Sequence, residues 1–128
     1  MNENVPSTDR TWDVLCHLSA LAMLLGIPFG NVVGPLVVWL VKKSSSPSVD
    51  ENGKAAINFQ LSLTLYLIIA TAVTVGLMFL LIGFLLLPLL IAAVIVIPVV
   101  DVILIAVAAY KASNGEFYLY PFTIRFIN

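Results

Sequence analysis

Apolar residues in this chain lie in long, nearly unbroken runs. The longest covers residues 73–100, interrupted by Thr74, Gly76, Gly83, Pro88 and Pro98. About 20 consecutive apolar residues suffice to cross a bilayer as a helix, so the pattern is that of an integral membrane protein. Four apolar segments are expected, at about 12–25, 32–43, 54–82 and 89–112, after a short polar tail at 1–11. Asp9 can cap the first segment, and Trp12 suits a membrane interface.

The first two segments are short. At 1.5 Å per residue each reaches only about 15–22 Å, against a hydrocarbon core of about 30 Å. The breakers Gly26, Pro28, Gly30 and Asn31 separate them. The pair can form a hairpin entering and leaving on one side, two spans in a thinned bilayer, or one broken helix. Gly30-Asn31 favours a reversal, because both residue types tolerate the left-handed conformation. Residues 44–52 read as a hydrophilic loop and 83–88 as the turn between the two long segments. Pro98 can kink the last segment, which stops with Lys111 in its final turn and Gly115 beyond. Residues 113–128, with Tyr118, Tyr120, Phe122, Arg125 and Phe126, read as an interfacial tail. The expected architecture is an all-α polytopic membrane bundle of four segments, the first two a short hairpin.

Composition sharpens this picture. Only 10% of the 128 residues are charged, where a soluble domain needs about a quarter. One membrane domain, 12–128, fits the length, with no separate soluble domain. The net charge of −1 points to neither nucleic acid nor an acidic substrate. Cys16 is the single cysteine, so no intramolecular disulfide forms. Met1-Asn2-Glu3-Asn4 lacks the basic region of a signal peptide, and the first segment is expected to remain in the mature protein. With a hairpin or two spans at the start, Arg10, Lys42, Lys43, Lys54, Lys111 and Arg125 all fall on one side. The positive-inside rule then puts both termini in the cytoplasm of a multi-pass plasma-membrane protein.

Three sets of residues resemble a known family. They are Cys16-His17-Leu18-Ser19-Ala20-Leu21 with residues 28–36 and 39–43; residues 49–54 with Asn58-Phe59-Gln60-Leu61-Ser62; and residues 111–118 with Tyr120-Pro121-Phe122. This order resembles a family of small bacterial and archaeal membrane proteins of unknown function, distantly related to the Tic-twenty component of chloroplast protein import. The resemblance covers the chain from about Trp12 onward. It implies a compact bundle with four membrane segments and no established activity. Asp101 is not part of the family pattern.

Candidate chemistry rests on a few polar residues in apolar surroundings. Asp101 lies about 15 Å below Lys111 along its helix, near the bilayer midplane. A charge there costs at least about 2.5–3.5 kcal/mol, so the carboxyl should face protein or be protonated. It is either an ion or proton relay or a hydrogen-bonded packing group. Ile105, Ala108 and Ala112 share its face, small enough for another helix to approach. His17 is shallower, and a pairing with Asp101 is conceivable. Gln60, Thr64, Thr71 and Thr74 form one stripe, and Asn58 and Ser62 a nearly opposite one. Asn58 and Gln60 are expected to meet the turn around Gly30-Asn31 or interfacial water. The stripe could line a conduit or bond between helices.

Adjacent Cys16 and His17 point about 100° apart on a helix and make no nucleophile–base pair. No catalytic, metal or cofactor set is expected. The expected partners are the lipid bilayer and either further copies of the chain or a larger membrane protein, not nucleic acid. The function expected is a non-enzymatic association or scaffold subunit, the alternative being a small channel or a Tic-twenty-like translocation component.

Overall fold

The computed structural model describes residues 6–128. Residues 1–5 of the expected tail, and with them the signal-peptide argument, lie outside the described residues. Every regular element among the described residues is helical: α1 (Ser7–Leu18), a 3-10 helix (Ser19–Leu25), α2 (Gly30–Lys42), α3 (Pro47–Met78) and α4 (Ile82–Ser113). Two of them, α3 and α4, are long and apolar enough to cross a membrane. The expected four membrane segments therefore reduce to two candidate spans. The earlier elements are 12, 7 and 13 residues long, below the length a span needs.

Helix boundaries move for identifiable reasons. α1 starts at Ser7, so residues 7–11 are helix rather than tail. α3 starts at Pro47, inside the expected loop. Ser46 caps it by accepting from the Val49 amide at 3.3 Å, Pro47 takes the first turn where its missing N–H costs nothing, and Asp50 follows. The turn between the long helices lies at 79–81, not at 83–88, with Leu81 left-handed at φ 63°. Gly83 serves close packing instead: a Cβ there would overlap the backbone of Thr74 and Met78. Pro88 and Pro98 both sit inside α4. The first reversal uses Gly26 and Phe29, both at positive φ, and Gly30 and Asn31 open α2.

The 3-10 helix and α2 pack against each other at a distance only glycine allows. A Cβ on Gly34 would run into the Ser19 carbonyl. α1 packs against both α3 and α4, whereas α2 packs against α3 and α1. The buried face of α4 carries Asp101, Ile105, Ala108 and Ala112, the small face read from the sequence. Phe59, Ala108 and Tyr120 form the core, with Leu63, Leu104 and Tyr118 against it.

At the same end, Lys42 lies over Trp12, Lys43 over Trp39 and Lys111 over Tyr118. Trp39 Nε1 donates to Asp50 at 2.8 Å, and Lys54 pairs with Asp50 at 2.6 Å. The opposite end, around Phe79, Leu81 and Leu85, is apolar and bare.

Gly34→Ala should destabilise the protein by about 1–3 kcal/mol, as overpacking does, and lower its thermal midpoint in detergent. Gly76→Ala, where a Cβ meets nothing within 4 Å, should leave the midpoint unchanged or slightly raised.

Candidate functional site

Asp101 on α4 meets α3 through Gln60, whose Nε2 donates to Asp101 Oδ1 at 2.7 Å. Gln60 Oε1 in turn accepts from Asn31 Nδ2 on α2 at 3.0 Å, and the same amide donates to Thr64 Oγ1 at 3.2 Å. Gln60 and Thr64 are one helical turn apart, so one α2 side chain reaches both. Four of the six candidates thus form a single chain across three helices. Gln60 and Asp101 are 1% and 3% exposed, so this is a helix contact rather than a cavity wall. The predicted threonine stripe does not continue it. Thr74 Oγ1 returns to its own helix at the Ala70 carbonyl, and Thr71 is exposed.

His17 belongs to a second cluster and does not pair with Asp101. Asn52 donates its Nδ2 to the Ser48 carbonyl, which turns its Oδ1 toward His17 Nε2 at 2.8 Å. His17 Nε2 then donates, and Nδ1 accepts from the Tyr120 hydroxyl at 2.8 Å. Burial pushes the imidazole down to about 4, with the Asn52 bond opposing. Tyr120 stacks on Phe59 with ring centroids 4.1 Å apart. Cys16 Sγ points to the Val49 carbonyl instead of the imidazole.

One turn earlier, Asp13 accepts from the Ser48 hydroxyl while its Oδ1 is buried without a partner. Burial, more than any neighbour, holds this carboxyl above the usual range. Residues 13, 16 and 17 of α1 are thereby stitched to the first two turns of α3. Among the described residues no group of His, Cys, Asp and Glu is placed to hold a metal ion.

Asn58 makes a third contact, to the tail rather than to the turn near Gly30. Its Oδ1 accepts from the Phe126 and Ile127 amides at 3.1 and 2.8 Å, and its Nδ2 donates to the Ile127 carbonyl at 2.9 Å. Four residues on, Ser62 Oγ accepts from the Ile124 amide at 2.7 Å. Four further, the Tyr66 hydroxyl donates to the Phe122 carbonyl at 2.6 Å. The tail is therefore a folded strap along α3, where the sequence suggested an interfacial tail of amphipathic rings. Tyr120, Asn52 and Tyr66 escaped sequence reasoning. The spacing of 58, 62 and 66 on one face was the available signal for the strap.

Residues 8–127, nearly the whole chain, match the model of the magnetosome magnetite crystal formation protein family, MamF/MmsF. The chain belongs to this family. The match accords with the resemblance to small prokaryotic membrane proteins and carries no link to the chloroplast import component. No curated protein and no solved structure matches the chain. In this family member, what the buried polar groups do is hold helices and strap together.

Removing Gln60 strands the Asp101 carboxyl. Gln60→Leu should cost about 1–3 kcal/mol, the penalty for an unsatisfied buried group. The double variant Gln60→Leu/Asp101→Leu should be milder than the single, because neither partner is then left alone. Asp101→Asn should fold normally. Thermal unfolding of the four proteins in one detergent checks this.

Proposed function

We propose that the protein is a membrane-embedded, non-enzymatic subunit that serves magnetite crystal formation by associating with further copies or with a larger membrane protein. The observation carrying this reading is the contrast between the two halves of the α3–α4 pair. In the near half, most of the buried polar side chains are engaged by contacts within the chain. In the far half, large apolar side chains such as Phe79 (89% exposed) and Leu85 (81% exposed) are largely bare among the described residues. Family membership supports the setting, a magnetosome membrane.

In this reading α3 and α4 cross the bilayer, and the 3-10 helix and α2 enter and leave on one face as a re-entrant hairpin. The clustering of Lys42, Lys43, Lys54 and Lys111 at one end supports cytoplasmic termini. A far end without charge supports it further. Small faces and polar bonds drive helix association in lipid, where no hydrophobic force acts between helices. The alternative, a small channel or a Tic-twenty-like translocation component, would run its path along Asp101, Gln60 and Asn31. Loss of an ion flux in a folded Asp101→Asn variant would favour it.

Two measurements test the proposal. On a Cys16→Ser background, single cysteines at Ser46 and Asn114 should react with an impermeant thiol reagent from the cytoplasmic face only. Labelling of the two from opposite faces contradicts the placement. The mass of the protein in nanodiscs should exceed that of one chain or include a partner. A lone monomer across nanodiscs and several mild detergents contradicts association.

A further inference from the structure

Two adjoining cavities open between the charged end of α3 and the tail. The larger, about 680 Å³, has Lys54 and Arg125 in its wall, Asn58 behind them, and Phe117 and Phe122 alongside. The smaller, about 220 Å³, has Glu51 and Glu116 in its wall with Ser48 and Asn52. Glu51 and Phe117 line both, so a basic compartment borders an acidic one across a shared apolar ring. Lys54 is already paired with Asp50, whereas Arg125 and the carboxylates of Glu51 and Glu116 have no partner among the described residues.

We propose that this double cavity binds the headgroup of a phospholipid bearing a primary ammonium, with phosphate at Arg125 and Lys54 and ammonium at Glu51 and Glu116. The charge pattern selects this ligand. A purely anionic headgroup would satisfy Arg125 but face two carboxylates. A simple cation would satisfy the carboxylates and leave Arg125 alone. A guanidinium suits a phosphate through paired N–H bonds, and an ammonium gives three donors to carboxylates.

Depth fits as well. Residues 51–58 precede the apolar stretch of α3, and Tyr66, whose hydroxyl donates to the Phe122 carbonyl, lies about 12 Å further along the helix than Asn58 at 1.5 Å per residue. Acyl chains would leave past Phe122, which is largely bare, and lie along the apolar half of α3. The site rests on the membrane placement proposed above, and the two fail separately: thiol labelling judges the placement, and lipid selectivity judges the site.

The test uses the full chain in nanodiscs of equal phosphatidylethanolamine, phosphatidylcholine and phosphatidylglycerol, released into mild detergent, with retained lipid weighed by native mass spectrometry. Phosphatidylethanolamine should be retained about tenfold over phosphatidylcholine, the equivalent of one charge-assisted hydrogen bond at the low end of its range. Glu51→Gln/Glu116→Gln should abolish that preference while lipid is still retained. Arg125→Gln should reduce retention of all three. These side chains make no side-chain hydrogen bond or ion pair among the described residues, and the circular dichroism of each variant should match the parent. Equal retention of phosphatidylethanolamine and phosphatidylcholine overturns the proposal, as does preference for phosphatidylglycerol. If glycerophosphoethanolamine, which lacks acyl chains, displaces the lipid at equal concentration, the ligand is a soluble phosphate ester and the lipid assignment is wrong.

Discussion

The tail at 118–127 runs beside α3 without forming a helix or a strand, yet its amides and carbonyls need partners. Irregular backbone at membrane depth is tolerated only against protein or water, because each unsatisfied group costs several kcal/mol in hydrocarbon. Asn58, Ser62 and Tyr66 meet this constraint from one face of α3, taking the groups of Phe122, Ile124, Phe126 and Ile127. Because the strap is held there, Tyr120 reaches the core, stacks on Phe59 and bonds His17. His17 in turn ties α1 to Asn52 on α3. The near half of the molecule thus closes through the strap as much as through helix packing.

The Asp101–Gln60–Asn31 chain follows the same logic deeper in the bundle. Helix α2 lacks the length to cross a bilayer, and lipid gives little drive for it to stay on α3. A half-buried amide bonding both Gln60 and Thr64 fixes where its first turn sits. Gly34 then lets the 3-10 helix come down onto α2. Breaking a buried network by removing one member costs more than replacing it whole, so such contacts specify position more than they add stability. These residues act by placing helices, and the chemistry visible in the interior is consumed by that task.

Much of this was legible in the sequence, though unevenly. Hydrophobic runs marked the two long helices; depth singled out Asp101, the polar stripe Gln60 and Thr64, and the turn Asn31, and these four do meet. Boundaries were less legible, because the proline and glycine signals had two meanings. Pro47 after Ser46 opens a helix rather than extending a loop. Gly83 and Pro88 suggested a turn, but Gly83 serves a close contact and Pro88 is carried inside α4. The His17 partners, Asn52 and Tyr120, lie 35 and 103 residues away. No local periodicity encodes a pairing at that separation, and an aromatic in a tail reads as an interface anchor until the tail is seen to fold back.

A chain whose polar groups close one half of the bundle and whose apolar groups are bare in the other is built to sit in a membrane. That suits a member of a magnetosome crystal-formation family. The closed half depends on the strap, so backbone hydrogen exchange of the full chain in nanodiscs tests the account most directly. The amides of Ile124, Phe126 and Ile127 should exchange slowly, and Asn58→Ala should release the latter two selectively. Rapid exchange at all three in the unaltered protein would contradict it.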